Sequence, residues 1–197
     1  MATYAISTLG FSKRLLAETI TRGGIAIDAT VGNGNDTAQL ARLVGEQGLV
    51  YGFDIQKAAL DKARERLQQE GTEHHVRLLQ KGHEHLAETI DPGHVGCVQC
   101  VVFNLGFLPG SDESVITTPK TTLAALNASL SVLAIGGLIS IICYTGHPGG
   151  AYEEQCVETW SAKLDFNQFR VLRYDVVNKP GAAIRLYAVE HCRVSSP

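Results

Sequence analysis

The sequence predicts an α/β protein whose seven-stranded, mostly parallel sheet carries helices on both faces and ends in a C-terminal antiparallel hairpin. Three observations lead there. Short apolar runs alternate with segments of helical spacing along most of the chain, and repeated strand–helix–strand crossovers generate a parallel sheet. The run Val98 to Asn104 (VQCVVFN) is apolar almost throughout, as a strand covered on both faces requires. The last two runs, Phe169 to Val177 and Ala183 to His191, alternate in polarity and lie close together in sequence, which marks a hairpin at the sheet edge.

Taken in order, Phe11 to Thr21 reads as an extra helix ahead of the first strand, Gly24 to Thr30. Asp36 to Val44 is helical, with Ala38, Leu40, Ala41 and Val44 on one side, and Leu49 to Asp54 is the second strand. Gln56 to Glu70 is amphipathic, placing Ala59, Leu60, Ala63 and Leu67 opposite Lys62, Arg66 and Glu70. Val76 to Gln80 and Val98 to Asn104 supply strands three and four. Pro119 to Leu133 is a helix with Thr118 as N-cap and Pro119 at its first position; Gly136-Gly137 ends it before the fifth strand, Leu138 to Tyr144. Tyr152 to Leu164 is the last helix.

Composition fits one domain over residues 1–197, with residues 1–22 as a helical extension. The chain is 45% hydrophobic and 19% charged, which excludes disorder for its bulk. A net charge of −3 argues against a non-specific polyanion binder, though not against an enzyme with a few well-placed cations. No apolar run reaches the length of a membrane span, and Met1 to Lys13 lacks the pattern of a secretory signal. Five cysteines, an odd number, suit free thiols in a reducing compartment, so a cytoplasmic location is expected. Cys97-x-x-Cys100 lacks further ligands at zinc-site spacing and reads as buried thiols, with no metal expected; His74-His75 reads as a surface turn.

The most informative segment is Asp28-Ala-Thr-Val-Gly32-Asn33-Gly34-Asn35-Asp36-Thr37. An acid late in strand one leads into a Gly-x-Gly turn and a helix start, where glycine permits close backbone approach and the helix offers unpaired N–H groups. In a dinucleotide site a third glycine or alanine occupies the Thr37 position, so the NAD pattern is broken. Asp54 ends strand two, twenty residues beyond Gly34, where a carboxylate accepts hydrogen bonds from two ribose hydroxyls. S-adenosylmethionine (SAM) fits better than NAD: its carboxylate suits the glycine turn, its ammonium Asp28, its ribose Asp54. With the terminal antiparallel pair, this narrows the fold to the Rossmann-like class I arrangement of SAM-dependent methyltransferases. Its ligands sit beyond the carboxyl ends of the strands.

Strand four delivers Asn104-Leu-Gly-Phe107-Leu-Pro109-Gly to that edge, and strand five delivers Tyr144-Thr-Gly-His147-Pro-Gly-Gly. An amide beside a methyl donor can accept a hydrogen bond from an amine and aim its lone pair; the alternative for Asn104 is a strand-end cap. His147 either takes the proton released on N-methylation or faces solvent in a glycine-rich loop. Tyr144 either stacks on a base or fills the core boundary. His83 lines an adenine pocket or starts the next helix.

Together, the Asp28–Thr37 segment, Gly-Phe-Asp-Ile-Gln (52–56), Asn-Leu-Gly-Phe-Leu-Pro-Gly and Tyr-Thr-Gly-His-Pro-Gly-Gly resemble a family of small bacterial methyltransferases over Phe11 to Glu190. Its members were once labelled rRNA methylases and are understood as tRNA wobble-uridine enzymes acting on the 5-aminomethyl group of 5-aminomethyl-2-thiouridine. The resemblance implies cofactor contacts at Asp28, Gly32 to Asp36, Asp54, Ile55, Gln56, Gly82, His83 and Asn104. It implies a reaction side at Asn104 to Pro109, Thr117 to Thr122 and Tyr144 to Gly150. Asn104, His147 and Tyr144 are the catalytic candidates. Lys13, Phe107, Pro109, Lys120, Thr121, Tyr144 and His147 are the candidates for binding the tRNA anticodon loop, with Arg14 and Lys179 as further cations. Asn178 to Ala183 departs from the family's Asn-Gln-x-Asn-Pro pattern. Modest tRNA affinity at this charge is consistent with sharing across a homodimer. The competing readings are an rRNA or small-molecule amine methyltransferase and an NAD-dependent oxidoreductase.

Overall fold

The computed structural model describes residues 7–106, 117–179 and 184–192. Its strands are β1 (Ile25–Asp28), β2 (Leu49–Asp54), β3 (Val76–Gln80), β4 (Val98–Leu105), β5 (Leu133–Tyr144), β6 (Phe169–Tyr174) and β7 (Ile184–His191). The helices are α1 (Thr8–Thr19), α2 (Asn35–Val44), α3 (Lys57–Glu70), α4 (Leu86–Thr89), α5 (Pro119–Val132) and α6 (Gly150–Ser161). The sheet order is β3-β2-β1-β4-β5-β7-β6, parallel from β3 through β5, with β7 antiparallel to both its neighbours. β7 therefore runs against the other six strands. The chain reverses its direction of travel across the sheet between β1 and β4, and the loops leaving these two strands part there to open a crevice.

Apolar side chains alternate across the sheet into two cores. Ile27, Phe53, Val101, Phe103 and Ile141 pack on the face with Leu86, Ala125, Leu126 and Val157 of α4, α5 and α6. Ala26, Val50, Cys100, Val102 and Leu138 pack on the other, against Leu16 and Ile20 from α1 and its C-cap and Leu40 and Val44 of α2. This explains why β4 reads as continuously apolar. α1 is fastened by a buried Ser12–Ser140 hydroxyl contact of 2.8 Å, and its first residue Thr8 donates to Ile184 O at 3.2 Å. The expected helical extension is thus packed on the β5–β7 part of the sheet.

Three expectations need correction. Gly136-Gly137 does not end α5; the helix stops at Val132 and the chain becomes extended at Leu133. The two glycines form an irregularity within β5, where the β4 register steps from Val98↔Leu133 to Cys100↔Leu138 and Gly136 takes φ +81°. β6 ends at Tyr174 rather than Val177, with Tyr174 stacked on Phe11 at 4.5 Å. Finally, His74 and His75 are not a matched surface pair: His75 is buried and its Nε2 contacts Ala41 O at 3.0 Å. The reading of the cysteine pair as buried also needs correction for one member: Cys100 is buried and Cys97 exposed, both as free thiols.

Candidate active site

A cavity of about 730 Å³ opens at the carboxyl ends of β1, β2 and β4, within the size range of small-molecule sites. Its first wall is the β1–α2 turn. Gly32, at φ +50°, donates its N–H to Asp54 Oδ2 at 2.9 Å, while Gln56 N donates to Asp54 Oδ1 at 2.8 Å. Asp54 is therefore aimed by two backbone donors, and a carboxylate has about four acceptor sites, so capacity for a diol remains. Gly32, Asn33, Asn35, Asp36, Asp54, Ile55 and Gln56 all line the cavity.

Two members of the expected cofactor set are placed differently. Gly34 does not line the cavity: at φ +77° it caps α2, and a Cβ there would lie 2.8 Å from Ala63 on α3. It supplies the close helix approach that a third glycine gives a dinucleotide site. Asp28 is fully buried behind the wall. Its Oδ2 accepts from Thr37 Oγ1 at 2.6 Å and its Oδ1 from Thr30 N at 3.1 Å, tying α2 to β1. Burial, then the charge of Asp36, pushes its carboxyl from the ordinary 3.8 up to about 7. The ligand-ammonium partner expected at Asp28 is thus corrected to a scaffold acid, and Asp36 is the acid that reaches the cavity on α2.

Beyond β3, Gly82 and His83 line the cavity. His83 Nδ1 lies 3.1 Å from Ala29 O, and a carbonyl only accepts, so Nδ1 carries the hydrogen and Nε2 is the acceptor. Burial lowers the pKa of this ring, keeping it neutral, and Phe103 meets it edge-on at 5.7 Å. His83 thus lines the cavity and also begins the short 3₁₀ turn ahead of α4.

The opposite wall comes from β4, α5 and β5. Asn104 N donates to Thr30 Oγ1 at 2.7 Å, and Asn104 Nδ2 donates to Asp36 Oδ2 at 2.6 Å. Gly106 N donates to Thr117 Oγ1 at 3.1 Å. Thr117 and Thr122 then donate to the two oxygens of Glu153 on α6, at 2.6 and 2.7 Å. Glu153 is buried and joins the end of β4 to the start of α5. Thr118 caps α5 as expected, accepting from Thr121 N, and both threonines line the cavity. Half-buried Tyr144 lines it too, its phenol pKa raised by burial and by Asp36. Lys13 reaches the mouth from α1.

His147 and Lys120 lie off the cavity wall. The His147 ring stands beside Gly106 and Gly150, where a Cβ at Gly150 would come within 2.7 Å of Nε2, and Nδ1 contacts Pro148 O at 3.0 Å. Lys120 is exposed on the first turn of α5. Phe107 and Pro109 fall outside the described residues. Sequence reasoning missed Leu9, Thr30, Val31, Phe53, Lys81 and Glu84, all on the wall. Lys81 and Glu84 follow the carboxyl end of β3 and were open to the same strand-end rule that found Asp54 and Asn104; Leu9 on α1 carried no signal.

The ring of Asp36, Asp54 and Glu84 suits a ligand with cationic groups, and the free N–H groups at the start of α2 suit a carboxylate. These residues fit SAM, a sulfonium bearing an ammonium and a carboxylate.

Comparison with known proteins agrees. Residues 50–190 match the family model described as "Putative rRNA methylase". A curated relative, the chloroplastic tRNA (mnm(5)s(2)U34)-methyltransferase of Arabidopsis thaliana, is 37% identical over 176 residues, 86% of this chain. The chain spans 64% of that relative's length. A crystal structure from Clostridium thermocellum with the same rRNA-methylase label superposes with a TM-score of 0.91 at 36% identity, covering 96% of this chain and all of the other. A Streptococcus mutans protein in complex with SAH gives a TM-score of 0.86 at 35% identity over 95% of this chain and 99% of its own.

Proposed function

The chain belongs to the rRNA methylase family, and on that premise we propose that it is a SAM-dependent N-methyltransferase acting on tRNA. Its reaction converts 5-aminomethyl-(2-thio)uridine at the wobble position to 5-methylaminomethyl-(2-thio)uridine. The observation that carries this reading is Asn104, an amide set on the cavity wall opposite the Asp54–Gly32 clasp. The name of the Arabidopsis thaliana relative supports the choice of tRNA.

SAM supplies a methyl group on a sulfonium, and the protein's part is alignment. Asp54 holds the ribose diol. The β1–α2 turn holds the amino-acid carboxylate. Asn104 accepts a hydrogen bond from the amine through Oδ1 and so aims the nitrogen lone pair. Such alignment is worth roughly 7–11 kcal/mol of barrier. The attacking amine must be neutral, and a partly enclosed pocket disfavours its ammonium form. Tyr144 offers an aromatic face to an unstacked anticodon base, and Lys13 at the mouth faces the RNA backbone. A homodimer doubles the cations available to one RNA, and a cytoplasmic site of action suits five free thiols. No helix among the described residues is long and apolar enough to cross a membrane.

Nucleoside mass spectrometry of tRNA from a deletion strain tests the assignment. The unmethylated aminomethyl nucleoside accumulates if the reading is correct. An unchanged wobble uridine with a lost rRNA methyl group supports the rRNA alternative instead. Calorimetry separates the cofactors: SAM binds, and NAD does not, because Thr37 stands where NAD sites need a small residue and is committed to Asp28.

A further inference from the structure

We propose that Asp36 is a positioning residue that fixes which way round the Asn104 carboxamide stands, so that the site accepts only a nucleophile carrying a donor hydrogen. The inference rests on the methyltransferase reading above and deepens it. Its basis is a contact between elements 68 residues apart in sequence: Asn104 Nδ2 meets Asp36 Oδ2 at 2.6 Å. An ionised carboxylate only accepts hydrogen bonds, and of the two arms of an asparagine amide only NH₂ donates. The chemistry of the pair therefore dictates the orientation. Nδ2 turns to Asp36, and the other arm of the planar amide is the acceptor Oδ1.

Both partners are held from elsewhere. The Asn104 backbone is pinned by its N–H on Thr30 Oγ1 at 2.7 Å. Asp36 sits in the first turn of α2, where the helix N-terminus favours a negative charge. That helix is itself tied to β1 by Thr37 on Asp28. Without the acid at position 36, either orientation of the amide satisfies its surroundings equally. An NH₂ presented to the substrate would bond the amine lone pair and occupy the electrons needed for attack. Oδ1 instead takes an N–H and leaves the lone pair aimed at the methyl carbon. The same presentation discriminates against nucleophiles that bear no hydrogen, such as a ring nitrogen, and admits a donor-bearing one such as an exocyclic amine.

A polarity swap tests this. Wild type, D36N, N104D and the double variant D36N/N104D are assayed for methyl transfer to tRNA bearing the aminomethyl nucleoside. For each, kcat and KM, the SAM Kd by calorimetry and the melting temperature are measured. In D36N the new amide can donate to Oδ1 or accept from Nδ2, so the Asn104 carboxamide no longer stands one way round and kcat at saturating SAM falls severalfold. N104D puts two carboxylates in contact and falls about 100-fold, the scale of a misplaced reacting group. The double variant restores one donor and one acceptor with a carboxylate oxygen toward the amine, and regains at least tenfold in kcat over N104D. A D36N enzyme whose SAM Kd rises while saturated kcat is unchanged would make Asp36 a cofactor contact only and overturn the proposal. So would a folded double variant no faster than the slower single one. If wild type itself transfers no methyl to this tRNA, the functional reading falls and takes the inference with it; wild-type transfer without rescue removes the inference alone.

Discussion

The two walls of the cavity are built by different means. On the cofactor side, Asp54 is aimed by the N–H groups of Gly32 and Gln56, and Gln56 is its near neighbour in the chain. On the reaction side the contacts that set Asn104 and the start of α5 against their neighbours are long-range. Asn104 depends on Thr30 and Asp36, and Thr117 and Thr122 depend on Glu153 from the next helix but one strand away. A wall made of backbone donors and one short turn holds its shape by itself. A wall made of side-chain contacts between distant elements holds it only when the sheet is assembled, and each contact is one substitution from loss.

The comparison is broken most severely at Asp54. D54A removes the acceptor proposed for the ribose diol and leaves the Gly32 and Gln56 N–H groups unpaired, so SAM affinity falls by at least 100-fold in calorimetry, consistent with about 3 kcal/mol for hydrogen bonds to a charged group. N104A should separate the walls: SAM Kd stays within about threefold while kcat falls by roughly 100-fold. Equal losses in binding and turnover at Asn104 would mean the two walls are not functionally distinct.

These differences in construction also decided what could be read from the chain. The β1–α2 turn and Asp54 were legible because glycines, an acid and a fixed spacing record a local backbone shape. Asp28 was misread because its carboxylate follows the same pattern, yet burial and Thr37 turn it into scaffold. Gly34 was read as a ligand glycine, whereas the pressure on it comes from Ala63 on α3, a contact no motif encodes. Glu153 had no signal at all: an acid in the first turn of a helix reads as a favourable dipole partner on the surface, and only the assembled fold buries it against two threonines. The seven strands were recovered because short apolar runs, continuous in the parallel strands and alternating in the hairpin, survive any sheet order. The order itself, with β7 inserted between β5 and β6, was not, since both hairpin strands alternate alike.

Glu153 gives the next largest effect. In E153Q the charged acceptor is lost and one threonine hydroxyl must reverse to accept from the amide, at a cost of about 1–3 kcal/mol in chemical denaturation. SAM Kd should hold while turnover drops severalfold, because the disturbed wall is the one beside Asn104. A variant with weakened SAM binding and normal saturated turnover would place Glu153 on the wrong side of the comparison.

The smallest effect is a pH dependence at Asp28. Its native pKa of about 7 lies above the ordinary 3.8, so the folded state holds a proton that the unfolded chain has released. The associated stability is fully present below about pH 4, the unfolded value, and declines as pH rises through 7. D28N removes this titration, so the difference in unfolding free energy between D28N and wild type should shift in favour of D28N from pH 5 to pH 8. A constant difference across that range would show that Asp28 is ionised throughout.

The central claim is that the adenosyl ligand lies across the ends of β1 and β2 with its sulfur turned toward Asn104. A crystal structure of this protein with SAH tests it most directly. The account predicts ribose hydroxyls within hydrogen-bond distance of Asp54, the amino-acid carboxylate at the start of α2, and the sulfur facing the Asn104 amide. SAH bound elsewhere, or bound here with its sulfur facing away from Asn104, would contradict it.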